Sequence, residues 1–225
     1  MSCTKLEEIR CPCGEVFEAE LYNSINAVED PDLRESLLCG EINVVCCPVC
    51  NQIFYAEHFV LYHDPSSELI AFVYPTAFST DEKFWKERMD QDFKKALDAM
   101  PDSTKLTYRP MILFGLDRLV DILKEEDEIN DEISILEYSA QELGIELIRL
   151  KPSTARELKL PRVMPCTNID NQREGIIDGI KKILDHNQHL QWYAKLLKLI
   201  EHHKDWYIIA KPPAKKPPVK KTKSK

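Results

Sequence analysis

Two short cysteine motifs constrain this chain more than any other feature. Cys11-Pro12-Cys13-Gly14 and Cys47-Pro48-Val49-Cys50 each place two thiols on a tight turn beside a proline, and 33 residues separate the pairs. Four thiolates from two such turns can close a tetrahedron around Zn²⁺, with Zn–S bonds of about 2.3 Å. The spacing therefore predicts one Zn²⁺ site whose ligands are Cys11, Cys13, Cys47 and Cys50.

The ligand set has alternatives. The first pair is one residue shorter than the usual zinc knuckle, so Cys11 and Cys13 do not fit the standard knuckle geometry. Cys46 adjoins the second turn and Cys39 precedes a flexible glycine, so either could replace a ligand. The two cysteines that stand alone are expected to be small buried residues: Cys3 and Cys166.

Two other roles for the pairs are less well supported. The thiols could be structural without a metal, although paired Cys-Pro turns at two places favour zinc. A redox dithiol at Cys47 and Cys50 would normally open a helix after a strand. Here the residues after Cys50 continue as a strand, which disfavours the redox role.

The distribution of charge restricts the partners that this protein can bind. Residues 211–225 hold seven lysines, four prolines and no acidic residue, which is typical of a disordered arm. Without those lysines the chain has 23 basic and 38 acidic residues, a net charge of −15. Such a body repels nucleic acid, so we expect at most weak, nonspecific nucleic-acid contact through 211–225.

The apolar runs of the sequence predict where in the cell the protein is located. No run approaches the roughly 20 apolar residues of a membrane helix. The first ten residues include acidic side chains and lack the apolar segment of a secretory signal. We expect a cytoplasmic protein without membrane contact, and in that reducing compartment eight cysteines indicate metal ligands before disulfides.

The periodicity of apolar residues changes along the chain. Residues 9–75 are expected to be β-structure built around the cysteine turns, because apolar and polar side chains alternate over 17–22. One helix is expected at 31–38, and the apolar run 69–74 is expected to be a buried or edge strand. From residue 79 a helical period predicts helices up to Met100 (stopped by Pro101), at 115–126 and at 129–143, then a strand at 145–150. The acidic run 125–132 is expected to be a solvated connection between two helices.

These patterns predict an α+β fold: a zinc-ribbon-like antiparallel β core with several packed helices and a C-terminal helical appendage. Residues 1–151 are expected to form the zinc-binding domain, and 152–165, interrupted by prolines, a linker. Residues 166–209 are expected to form the helical segment and 210–225 the disordered Lys/Pro-rich tail.

A family resemblance rests on the two cysteine turns together with the segments 21–26 (LYNSIN) and 62–65 (YHDP). These segments resemble the CpXC family, a bacterial and archaeal domain named for two Cys-Pro-x-Cys motifs. Residues 106–150 resemble the later part of that family, where helices precede a final strand. The resemblance implies zinc and an α+β fold, and it implies no reaction.

The remaining motifs are weaker. His186 and His189 have the i, i+3 spacing of a helical ligand pair, and His58 and His63 flank an apolar segment, but no acidic third ligand accompanies them. We expect these histidines to be solvated or hydrogen-bonded. The sequence has no glycine-rich phosphate loop and no Gly-x-Ser-x-Gly elbow.

Three function classes remain compatible with the sequence. A tetrathiolate zinc has no open coordination position, which favours a non-catalytic binding or adaptor module that acts on a protein partner. The first alternative is a nucleic-acid-associated regulatory protein that uses the basic tail. The second is an enzyme with an unrecognised site, for which the adjacent residues Tyr62, His63 and Asp64 are the only candidate cluster; three such neighbours more often form a turn.

Overall fold

The structure, a computed structural model, describes residues 2–100 and 106–203. The strands found in these residues are β1 Cys3–Arg10, β2 Val16–Asn26, β3 Val44–Cys46, β4 Ile53–Tyr55, β5 Val60–Asp64, β6 Leu69–Tyr74, β7 Met111–Phe114, β8 Glu146–Arg149 and β9 Val163–Cys166. The α-helices found in them are α1 Pro31–Leu38, α2 Glu82–Ala99, α3 Leu116–Leu143, α4 Pro152–Leu158, α5 Gln172–His186 and α6 Gln191–His202. The predicted α+β class is confirmed.

The main sheet is mixed rather than antiparallel. It has the order β1-β2-β5-β6-β7, while β3 with β4 and β8 with β9 form separate two-stranded sheets. β1–β2 and β5–β6 pair antiparallel, whereas β2–β5 and β6–β7 pair parallel. The expectation of an antiparallel core is therefore wrong for this sheet. Each parallel pair needs a crossover segment, and the chain supplies one through α1 and the β3–β4 hairpin and another through α2.

Strand β6 lies in the interior of the sheet, and all six of its residues are buried. Successive side chains point to opposite faces of a strand. Leu69, Ala71 and Val73 therefore pack in one core with residues of α1 and the first turns of α3. The alternate residues of β6 pack in a second core with Met89 of α2. Burial on both faces explains why this segment reads as a continuous apolar run.

Helix α3 corrects one prediction. Its 28 residues run without a break through the acidic run 125–132, which was expected to connect two helices. The segment contains no glycine or proline to interrupt a helix. Its charge is partly compensated, because Arg34 pairs with Asp127 and Arg156 with Glu126, both at 2.6 Å. Neither α3 nor any other helix that the structure describes has the length and apolarity needed to cross a membrane.

The chain separates into two compact units. Unit 1 comprises Met1–Glu132 and Lys151–Arg162, and it contains the main sheet and the β3–β4 hairpin. Unit 2 comprises Ile133–Leu150 and the chain from Val163 onwards. Helix α4 and most of β9 occupy the stretch predicted to be a linker, and the proposed division into domains stays a prediction.

Unit 2 is built on close packing of α5 against β9. A Cβ added at Gly179 would lie 2.9 Å from the backbone of Pro165, so only glycine permits this approach. The Tyr193 hydroxyl of α6 donates to the Val163 carbonyl at 2.7 Å. The predicted pair of C-terminal helices is confirmed by α5 and α6, whereas Pro101 and the predicted tail lie outside the described residues.

Candidate metal centre

The first cysteine turn joins β1 to β2. The Gly14 N–H donates to the Cys11 carbonyl at 2.9 Å, and the Cys11 N–H donates to the Glu15 carbonyl at 2.8 Å. Gly14 has φ +100°, a conformation that favours glycine. These bonds close the hairpin in a small loop that carries Cys11 and Cys13.

The second turn joins β3 to β4. The Cys47 N–H donates to the Gln52 carbonyl at 2.9 Å, and the Asn51 N–H donates back to the Cys47 carbonyl at 3.0 Å. Asn51 has φ 57°, a left-handed conformation that asparagine tolerates better than most residues. The loop therefore holds Cys47 and Cys50 at the tip of a rigid hairpin.

The two turns meet, and their four sulfur atoms all lie within 4.8 Å of one another. Cys11 Sγ lies 3.6 Å from Cys50 Sγ, and Cys13 Sγ lies 3.8 Å from Cys47 Sγ. A tetrahedron with Zn–S bonds of about 2.3 Å has S–S edges of about 3.8 Å. The geometry fits a metal ion bound by four thiolates, even though the first pair lacks standard knuckle spacing.

The other cysteines lie outside this cluster. Cys46 is adjacent in sequence, but its side chain is exposed and its thiol contacts the Cys47 carbonyl at 3.9 Å. Cys39 is exposed at the end of α1, and Cys3 is exposed on β1. Cys3 was expected to be buried, so that prediction is wrong, whereas Cys166 is buried as expected.

The environment of the four thiols is asymmetric. Burial raises the pKa of Cys11 to about 12. At Cys47 the backbone N–H groups of Cys50 and Val49 oppose burial and lower the pKa to about 7. Of Cys11 and Cys47, Cys47 is therefore the thiol that deprotonates more readily. A bound cation also favours the thiolate form of its ligands in general.

Asn43 is a buried residue that sequence reasoning missed. Its side-chain oxygen accepts from the Tyr22 N–H at 2.8 Å, and its amide nitrogen donates to the Tyr22 carbonyl at 3.0 Å. Its φ is 58°, and its carbonyl accepts from the Ala56 N–H at 2.9 Å. Asn43 thus fastens the β3–β4 hairpin to β2, and the signal was an asparagine just before a strand where a left-handed residue is needed.

The histidines are not part of the cysteine cluster. His58 lies 3.6 Å from Glu7 and His186 lies 3.4 Å from Glu142. Helix α5 ends at His186, so His186 and His189 do not share a helix face. Within the part of the chain that the structure describes, the four cysteines are the only group that could hold a metal ion.

The motif 62–65 is a strand end rather than a compact cluster. Tyr62, His63 and Asp64 are the last residues of β5, so His63 points to the face opposite the other two. The His63 ring shares a hydrogen bond of 2.8 Å with the Tyr108 hydroxyl. These three side chains therefore do not converge on one point.

The comparison with known families agrees with this site. The family model described as CpXC protein matches residues 9–137, more than half of the 225-residue chain. The chain belongs to the CpXC family. The CpXC match includes both cysteine turns and ends inside α3, so most of unit 2 lies beyond it. Neither the curated proteins nor the solved structures yielded a match.

Proposed function

We propose that Cys11, Cys13, Cys47 and Cys50 bind one Zn²⁺ ion as a structural ligand set, and that the hairpin held by this centre docks a protein partner in the cytoplasm. Sulfur spacings of 3.6 and 3.8 Å support the metal, and an all-thiolate donor set favours zinc over harder cations. Four protein ligands leave no coordination position for substrate or water. The role of the metal is therefore structural.

The observation that carries the docking role is an exposed apolar face on the β3–β4 hairpin. Val44 pairs with Tyr55, and Cys46 pairs with Ile53, so these four side chains share one face. Ile53 is 69% exposed, and Val49 at the tip of the turn is 65% exposed. Apolar side chains left exposed together on one face of a strand pair are typical of a protein interaction site.

The opposite face of the hairpin is already used. Val45 packs in a core with Leu21 and Ala56, and the Phe54 ring meets Phe17 of β2 edge to face at 6.4 Å between centroids. The hairpin is therefore held by its inner face and by the metal centre. Its outer face is available to a partner without any rearrangement of the fold.

Charge indicates the chemistry of that partner. Residues 11–57 contain nine acidic side chains and a single basic one, Arg34. Four thiolates around Zn²⁺ add a net charge of about −2. The complementary partner is a protein segment with apolar side chains flanked by lysine or arginine. The same charge repels a phosphate backbone, which favours a protein over nucleic acid at this face.

Site-specific photocrosslinking tests this function. A benzoylphenylalanine at position 49 of the full chain should crosslink in native cells to peptides that are apolar and basic. Ile53→Lys should abolish the crosslink without loss of zinc, because the Ile53 side chain is exposed. The matched control is Leu6→Lys, which changes an apolar residue that is 63% exposed on β1 and should leave the yield unchanged. Crosslinks to nucleic acid or to acidic peptides, or an unchanged yield with Ile53→Lys, would contradict the proposal.

A further inference from the structure

Unit 1 contains a second candidate site, away from the cysteine centre. A cavity of about 270 Å³ opens beside the turn that follows β5. Its lining is mainly polar and includes Arg34, Asp64, Ser67, Glu126, Asp127 and Arg162. The volume approaches the lower end of small-molecule sites, and the lining excludes a purely apolar ligand.

One residue that lines this cavity, Ser67, has a buried hydroxyl that makes no hydrogen bond of normal geometry with the described residues. Tyr62 is fully buried next to the lining residues but is not itself part of the lining. Burial and the charge of Asp64 raise the pKa of Tyr62, whereas Arg34 lowers it through its charge and a hydrogen bond. Buried polar groups are normally paired, so an unpaired hydroxyl on a lining that also carries charged side chains indicates a polar ligand.

The negative side of the cavity is Asp64. Its Oδ1 accepts hydrogen bonds from the N–H and hydroxyl of Ser66, at 2.9 and 2.6 Å, and from the Ser67 N–H at 3.3 Å. The pKa of Asp64 is lowered, because these donors outweigh the effect of burial. These three hydrogen bonds all end on Oδ1, so Oδ2 can accept from a ligand.

The positive side is formed by two arginines. Arg162 is exposed and makes no ion pair with the residues that the structure describes. Arg34 pairs with Asp127 through Nη2 and also interacts with the Tyr62 hydroxyl, and a guanidinium has five N–H donors. The cavity therefore offers a ligand positively charged N–H donors of Arg162 and Arg34 and one carboxylate oxygen of Asp64.

A ligand of a single charge fits poorly. Three carboxylates line the cavity and would repel a free anion, while Arg34 and Arg156 already neutralise two of them and reduce the attraction for a free cation. A bare metal ion is also disfavoured, because the described residues offer only the cysteine cluster as a metal-binding group. We propose that this cavity binds a small zwitterion of the amino-acid type, whose carboxylate pairs with Arg162 and Arg34 and whose ammonium group pairs with Asp64.

The test uses the full metal-containing chain. The proteinogenic L-amino acids are screened one at a time at millimolar concentration by saturation-transfer NMR, and each hit is titrated by calorimetry. We expect at least one hit, and its decarboxylated amine and its deaminated acid should each bind about tenfold more weakly or worse, since each lacks one charge-assisted contact. The absence of any hit, or equal binding of the amine or the acid, would overturn the proposal.

Variants separate binding from folding. Arg162→Gln and Asp64→Asn should each lower the affinity about tenfold or more, and asparagine retains an oxygen that can accept from the turn. The matched control is Arg118→Gln, which changes an exposed arginine outside the cavity and should leave the affinity unchanged. Unchanged affinity in Arg162→Gln, or a drop of the same size in Arg118→Gln, would refute the assignment.

Discussion

Replacing the second cysteine pair should unfold the β3–β4 hairpin and leave the main sheet intact. Without a metal the hairpin is held by the hydrogen bonds of Asn43 and by the packing of Val45, Ala56 and Phe54, and the burial of these three side chains contributes roughly 3–5 kcal/mol. A structural zinc ion contributes about 10–16 kcal/mol of apparent folding free energy. The metal therefore outweighs the packing, and two three-residue strands cannot remain paired on packing alone.

Hydrogen exchange measured by mass spectrometry follows this change segment by segment. In Cys47→Ser/Cys50→Ser, amide protection in β3 and β4 should fall at least about a thousandfold, corresponding to ~4 kcal/mol. Protection in β6 should persist, because that strand is buried on both faces. The control Cys46→Ser changes an exposed neighbouring thiol and should keep both protection and zinc. Full protection of the hairpin in the double variant would refute this reasoning.

Three further predictions concern other parts of the chain. Asn43→Ala should destabilise the protein by about 2–4 kcal/mol, because it loses two hydrogen bonds and leaves alanine with a strained φ. Asn43→Gly loses the same hydrogen bonds but relieves the strain, so it should destabilise the protein less. Urea denaturation measures the free energy of unfolding of both variants. The folded pKa of Asp64 is lowered, so its stabilisation is present above its unfolded pKa and is lost as pH falls. Wild type should therefore lose unfolding free energy below about pH 4 more steeply than Asp64→Asn, and parallel denaturation curves would contradict this. Deleting 211–225 should abolish the weak binding of the full chain to duplex DNA at low salt without changing its zinc content. Gel-shift assays at increasing salt measure the DNA binding. Binding that survives the deletion would exclude the tail as the DNA contact.

Local patterns predicted much of the fold because the corresponding elements are determined locally. Helix α1 begins at Pro31, where a proline suits the first turn, and matches its predicted bounds 31–38. Strand β6 also matches its predicted bounds, because an apolar run that ends at a proline leaves few alternatives. The convergence of the two cysteine turns was also predictable, since two pairs of closely spaced cysteines in one chain commonly bind the same metal ion.

The features that were missed depend on distant residues. The parallel pairing of β2 with β5 joins Ser24 to Leu61 across the whole metal hairpin, and no local pattern encodes such a register. The acidic run inside α3 is partly neutralised by Arg34 and Arg156, and this pairing is visible only once the chain is folded. The cavity next to Asp64 likewise gathers residues from α3, β5 and the segments around them, which sequence reading treated separately.

X-ray absorption at the zinc K edge shows whether the four cysteines bind a zinc ion. The measurement is made on the full chain purified without chelator, together with elemental analysis. We predict about one zinc ion per chain, surrounded by four sulfur atoms at about 2.3 Å, and loss of this signal in Cys47→Ser/Cys50→Ser but not in Cys46→Ser. A protein without zinc, or zinc bound mainly by nitrogen and oxygen, would contradict it.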